Sequence, residues 1–393
     1  MPSLASSLRS AFLLHAGLSA AAPAKRSGPT CSDINLSVTI SAENRVIPDY
    51  LLSGLTSTTL SLAGVEQLLN GVGNGLQLAL VNGTYNIAGR FCEPEVHIPG
   101  RSDTIQLLVH GITYDRNYWS GGGSLTGWEG SDYSWLAHAS AQGYPTLSID
   151  RLGNGLSDHP DPITVVQKPA HVEVAHQVVQ ALRSGAVGGR TFNKIAYVGH
   201  SYGSLIGNTL AARYPADVDA VILTGFTNAL KQAIAGVVVS PLGAPAGLVD
   251  NDRFGNLTLG YMAMSNEIGA RGVFYTNTES EWDASIVHRD WLDRGTYTLG
   301  EAVSTFFVND VAEDFDKPVL ILTGHKDQIF CGVALPLLGE ADCTGYFERT
   351  RALFPVADYH TKDIANTGHC LNFHYSANET FAAAHDFLDG TGF

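Results

Sequence analysis

From residue 103 onward, short aliphatic runs alternate with stretches of helical periodicity. The runs are Thr104–Val109 (TIQLLV), Tyr144–Ile149 (YPTLSI), Lys194–Val198 (KIAYV), Val218–Leu223 (VDAVIL) and Pro318–Leu322 (PVLIL). Each is short, aliphatic or β-branched, and bounded by glycine or a polar turn, as buried parallel strands are. Between them, Val174, Val178 and Leu182 recur every fourth residue with Ala175 and Val179 beside them. That spacing predicts one apolar stripe on a helix over 170–183. A second helix is predicted over Ser204–Arg213, directly after a glycine-rich turn. Strands alternating with helices predict an α/β fold with a mostly parallel, doubly wound sheet, which binds ligands at the carboxyl ends of its strands.

Two regions break the alternation. Residues 31–100 carry scattered strand signals such as Gly83–Ile87 and are expected to form an antiparallel edge. Residues 228–315 interrupt the pattern between two sheet strands. They hold glycine and proline breaks, then Tyr261, Met262, Met264, Phe274, Tyr275, Trp282, Trp291, Phe306 and Phe307. This segment is expected to be a helical cap or lid over the strand ends. The expected division is a core of 31–227 and 316–393 with a cap of 228–315.

Composition narrows the class. Of the 393 residues, 45 % are hydrophobic and 16 % charged, enough apolar surface for a large core and too few charges for a disordered chain. The net charge of −15 argues against a nucleic-acid surface, which needs clustered Lys and Arg. The first residues read MPSLASSLRSAFLLHAGLSAAAPAKR. Arg9, the short apolar run Ala11–Ala22 and the small residues after it match a secretory signal over 1–22, with cleavage near Ala20–Ala24. The run is too short to span a bilayer. Lys25-Arg26 offers a second, dibasic processing site.

Asn-X-Ser/Thr sequons at Asn35, Asn82, Asn256 and Asn378 agree with export. In an oxidising compartment, Cys331 with Cys343 would close a short loop and Cys31 with Cys92 would tie down the N-terminal arm, leaving Cys370 over. Sequence alone does not fix that pairing. The expected location is extracellular. No C-x-x-C or H-E-x-x-H spacing points to a metal.

The chemistry centres on Gly199-His200-Ser201-Tyr202-Gly203, a G-x-S-x-G pentapeptide. The pattern is weak alone, but here it directly follows a predicted strand and precedes a predicted helix, the setting of a nucleophile elbow. A serine hydroxyl is a poor nucleophile, so it needs a base, and the base an orienting acid. Asp327 lies just past the strand 318–322, and His369 follows in Gly368-His369-Cys370. The order Ser, Asp, His suits this topology. Rival bases are His325, too close in sequence to Asp327 to span to Ser201, and His374, read as packing or pocket lining on the following helix. Backbone N–H donors must await the developing oxyanion. Tyr202, after the nucleophile, supplies one; Ile112, in the His110-Gly111-Ile112 loop after the strand 104–109, supplies the other.

At this point the chain resembles the α/β-hydrolase superfamily, and within it the secreted fungal serine-esterase or lipase-like enzymes, over about residues 80–393. The resemblance rests on Tyr85–Cys92, His110-Gly111 with Tyr114 and Tyr118-Trp119, Asp150–Ser157 (DRLGNGLS), the Gly199–Ser204 elbow, Leu223–Thr227 (LTGFT), and Gly368-His369 with His374. It implies an eight-stranded sheet with a helical cap, and roles of nucleophile, acid and base for Ser201, Asp327 and His369. It makes Asp150–Ser157 a structural loop near the site. Tyr114, Tyr118, Trp119 and His200 are candidate substrate contacts.

The resulting expectation is cleavage of a carboxylic ester, lactone or thioester without metal or organic cofactor. The aromatic and Met residues of the lid suggest a small apolar or aromatic substrate. Acyl transfer, perhydrolysis and lyase chemistry on the same site are alternatives, as is a non-catalytic binding protein on this scaffold. A nucleotide-binding enzyme would need G-x-G-x-x-G after the first strand or a P-loop, and neither stands in that context.

Overall fold

The computed structural model describes residues 28–48, 76–121, 131–229, 243–305, 310–332 and 339–393. The expected signal segment lies outside them, as do Phe306 and Phe307. Eight strands form one sheet: β1 (Thr30–Arg45), β2 (Leu78–Glu93), β3 (Thr104–Val109), β4 (Thr146–Ile149), β5 (Lys194–His200), β6 (Ala220–Thr224), β10 (Pro318–Gly324) and β11 (Asp358–Ile364). Their order is β1-β2-β4-β3-β5-β6-β10-β11. β1 and β2 pair antiparallel, β2 pairs antiparallel with β4, and the pairs from β4 to β11 are parallel.

Burial follows position in the sheet. Every residue of β3, β4 and β6 is buried, including the polar Gln106 and Ser148 within the mainly aliphatic runs. β1 alternates from Leu36 onward, with Leu36, Val38, Ile40 and Ala42 inward and Ser37, Thr39, Ser41 and Glu43 outward, as a half-covered antiparallel strand must. β11 (DYHTKDI) is mostly polar and closes the opposite edge, where charged side chains discourage pairing with another chain.

Helices cover the sheet: α1 (Trp135–Ala141), α2 (Lys168–Ser184), α3 (Tyr202–Arg213) and, at the C-terminus, Ala377–Gly390. The stripe Val174, Ala175, Val178, Val179 and Leu182 of α2 is buried. The Cys31–Cys92 bridge joins residues paired across β1 and β2, Cys331–Cys343 closes a loop after β10, and Cys370 is free and buried. Asn35, Asn82, Asn256 and Asn378 are all exposed. Among the described residues, no helix is long and apolar enough to cross a membrane.

The segment between β6 and β10 departs from the all-helical expectation. It carries helices α4 (Glu267–Phe274), α5 (Ala284–Asp293) and α6 (Leu299–Thr305), but also an antiparallel sheet of β7 (Gly243–Pro245), β8 (Tyr261–Met264) and β9 (Thr296–Thr298) in the order β7-β8-β9. Tyr261, Met262, Ala263 and Met264 are all buried, so β8 packs as a strand although Met and Ala favour helices. Tertiary packing outweighs that weak local preference.

Candidate active site

Ser201 stands between β5 and α3 at φ 54°, ψ −113°, outside the regions a non-glycine residue prefers. The turn holds this conformation through Ser201 N–H donating to Thr224 O at 2.9 Å and Ser201 O accepting from Ser204 N–H. The flanking glycines are forced by close approach. A Cβ on Gly203 would overlap Val109 O, and one on Gly199 would lie 2.6 Å from the Gly203 carbonyl carbon.

Asp327 follows β10 and is wholly buried. Its Oδ1 accepts from Ile329 N–H at 2.8 Å and Phe330 N–H at 2.9 Å, and its Oδ2 lies 2.9 Å from His369 Nδ1. A carboxylate only accepts, so His369 Nδ1 carries the hydrogen, and in the neutral tautomer this bond selects, the lone pair is on Nε2. The ring lies over the strand end next to the serine: its Cε1 is 3.1 Å from where a Cβ on Gly225 would stand, and Gly225 follows the Thr224 that binds Ser201 N–H. Among the described residues, Ser201 Oγ makes no hydrogen bond to the imidazole. Such bonds are often long before substrate arrives.

The loop bearing His369 is braced by His374. That residue lies just before the C-terminal helix rather than on it. Its Nε2 accepts from Gly368 N–H at 3.1 Å and its Nδ1 donates to Cys370 O at 2.8 Å. Burial lowers its pKa to about 4, keeping the ring neutral and able to do both. The other rival base, His325, faces Asp363 Oδ2 at 2.7 Å.

After β3, Gly111 comes so close to the serine that a Cβ there would lie 2.9 Å from Ser201 Cβ. Ile112 N–H meets no acceptor among the described residues. Tyr202 is the first residue of α3, where N–H groups have no intrahelical partner. Sequence reasoning missed what holds this loop. Gly111 O accepts from His110 Nδ1 at 2.8 Å and from Arg151 Nη2 at 3.1 Å, Arg151 belonging to the segment read as merely structural.

The four candidate substrate contacts are all buried. Tyr118 stacks on His200 at 4.4 Å, and His200 Nδ1 lies 3.1 Å from Thr224 Oγ1. Burial first, then His369, lowers the His200 pKa well below normal. The Tyr114 hydroxyl lies 2.6 Å from Cys370 Sγ and donates to Asp290 Oδ2 at 3.3 Å. Trp119 is turned away, packing edge-on against Trp135 in the core with no exposed surface. From α4 and α5, Phe274 stacks on His369 at 5.6 Å, and Asp290 Oδ2 accepts the Tyr275 hydroxyl at 2.7 Å. Burial pushes the Asp290 pKa up to about 7.

The model of the alpha/beta hydrolase family matches residues 106–384, more than half of the chain. No curated protein matches it. Solved structures similar to it include E-2-(acetamidomethylene)succinate hydrolase, 18 % identical with a TM-score of 0.48, covering 77 % of this chain and 96 % of that one. A bromoperoxidase from Bacillus anthracis is 16 % identical with a TM-score of 0.48, covering 78 % and 96 %. A thermophilic esterase from Thermogutta terrifontis is 15 % identical with a TM-score of 0.44, covering 79 % and 96 %.

Proposed function

The chain belongs to the alpha/beta hydrolase family and has its fold, and from that premise we propose that it is a secreted serine hydrolase of carboxylic esters. Ser201 Oγ attacks the ester carbonyl while His369 Nε2 takes its proton. Asp327 holds the imidazole and stabilises its charged form. Ile112 and Tyr202 N–H bind the oxyanion. The tetrahedral adduct collapses as His369 protonates the leaving alcohol, giving an acyl-enzyme. Water then repeats the cycle, releasing the acid and restoring Ser201.

The observation that carries this reading is the buried Asp327–His369 pair at 2.9 Å, with its ring over the strand end beside a strained serine elbow. Two neighbouring rings favour an apolar substrate: Phe274 and Phe330 stack on the imidazole at 5.6 and 5.8 Å. Two disulfides and four exposed sequons support export.

A graded series of p-nitrophenyl esters tests the reading. Wild type is expected to turn over the apolar members, and folded Ser201→Ala to be inactive. Near-wild-type turnover by Ser201→Ala would move the nucleophile elsewhere. Product analysis with added alcohols separates hydrolysis from acyl transfer.

A further inference from the structure

Of the two oxyanion donors, Tyr202 N–H is aimed by a helix, but Ile112 N–H must be aimed by a loop. Gly111 O and Ile112 N–H belong to one planar peptide and point in opposite directions. Whatever grips Gly111 O therefore fixes where Ile112 N–H points. The Arg151 guanidinium, on the loop after β4, supplies one of the two donors on that oxygen, at 3.1 Å. His110, the other donor, is itself tied to Arg151, whose backbone N–H donates to His110 Nε2 at 3.1 Å. The guanidinium also lies over the Tyr202 ring, 4.7 Å from its centre. One side chain thus touches the Gly111–Ile112 peptide that presents one N–H and the ring of Tyr202, which presents the other.

Arg151 is held in turn. Its Nη1 bonds to Glu301 Oε1, and both side chains are almost wholly buried. Glu301 sits in the first turn of α6, between β6 and β10 with the rest of the inserted segment. Its Oε2 accepts Thr298 N–H at 2.7 Å, while its own N–H donates to Thr298 Oγ1 at 3.0 Å, a capping box. The same segment touches the loop again where Gly295 N–H donates to Thr113 O at 2.7 Å. A buried ion pair is weak support for stability, because desolvation offsets its attraction. The fork of arginine, bonding two acceptors at fixed angles, suits positioning instead.

We propose that Arg151 is a positioning residue for oxyanion binding, fixing the Gly111–Ile112 peptide, and that Glu301 of the inserted segment fixes Arg151. This rests on the serine-hydrolase reading above. Arg151→Lys tests it: one rotatable ammonium replaces the two fixed nitrogens that bond Glu301 and Gly111 O, so the charge stays paired while the rigid two-point grip is lost. Losing an oxyanion donor outright costs about 100- to 1000-fold in kcat, so a misaimed one is expected to cost about 10- to 100-fold, with KM changed by less than about twofold.

Affinity for an alkyl trifluoromethyl ketone, which forms a tetrahedral adduct with the serine, should fall by the same factor as kcat/KM. A purely structural role would lower thermal stability without that parallel. If Arg151→Lys does not fold, Arg151→Met combined with Glu301→Gln leaves no unpaired charge, and the same kcat loss is expected. Folded variants with kcat within twofold of wild type, or with the loss confined to KM, overturn the proposal. Ser201→Ala is assayed alongside. If it stays active the serine reading fails; if it is dead and Arg151→Lys is not slowed, only this proposal fails.

Discussion

Exchanging Asp327 for Asn tests the site more sharply than deleting it, because the two carboxylate oxygens have different partners. Oδ1 accepts two backbone N–H groups, from Ile329 and Phe330. An amide nitrogen cannot take that place, since it would set donors against donors. The oxygen of the introduced amide must occupy it, and the NH₂ group then faces His369 Nδ1. That nitrogen becomes an acceptor, so the ring hydrogen moves to Nε2, which can no longer take the serine proton. A triad held in the wrong tautomer loses about 10³- to 10⁴-fold in kcat, or about 4–5.5 kcal/mol at about 1.4 kcal/mol per tenfold. The backbone bonds to Oδ1 survive, so the variant should fold. The assay is kcat on a p-nitrophenyl ester, with nitrogen-15 NMR of the His369 ring reporting the tautomer. A folded Asp327→Asn enzyme within tenfold of wild type, or still carrying its hydrogen on Nδ1, would show that Asp327 does not set the tautomer.

Three further outcomes are expected. Asp290 is an acid whose folded pKa is raised to about 7 by burial, so the folded state holds its proton more tightly than the unfolded chain; its stabilising contribution is full below about pH 4 and is lost as pH rises through about 7. Asp290→Asn should flatten that part of the Tm–pH curve, and an unchanged slope would show that another group causes it. Replacing Cys31 and Cys92 by Ala, a bridge spanning 61 residues, should cost about 4 kcal/mol in chemical denaturation, against about 3 kcal/mol for Cys331 with Cys343, which spans 12. Equal or reversed losses would count against the chain-entropy explanation. The Cys370 thiol, buried and with its pKa raised first by that burial, should resist iodoacetamide in the native protein and react only after denaturation. Rapid native labelling would mean that the thiol is accessible after all.

The parallel core is legible in the sequence because its central strands are buried on both faces and read as short, mainly aliphatic runs. The elbow is legible because its glycines are demanded by contacts with a neighbouring strand and helix. β11 escapes such reading, since an edge strand written Asp-Tyr-His-Thr-Lys-Asp-Ile has no apolar run to find. The small sheet around Tyr261–Met264 is hidden for the opposite reason, since Met and Ala carry no strand preference of their own. Arg151 with Glu301 joins residues 150 apart, which no local pattern reveals. One signal is present: Thr298-x-x-Glu301 is a capping-box sequence and marks the start of α6. Trp119 illustrates the converse limit, since neighbours in sequence turn different ways: the Tyr118 ring stacks on His200 while Trp119 packs into the core.

Everything proposed for this site requires the Ser201 oxygen to be a nucleophile. A fluorophosphonate, which bonds to an activated serine oxygen as fluoride leaves, reads this directly by intact mass and peptide mapping. One adduct per chain is expected, on the peptide carrying Ser201, absent in Ser201→Ala and strongly slowed in His369→Ala. A folded wild-type protein that stays unlabelled, or carries its adduct on another residue, would rule that nucleophile out.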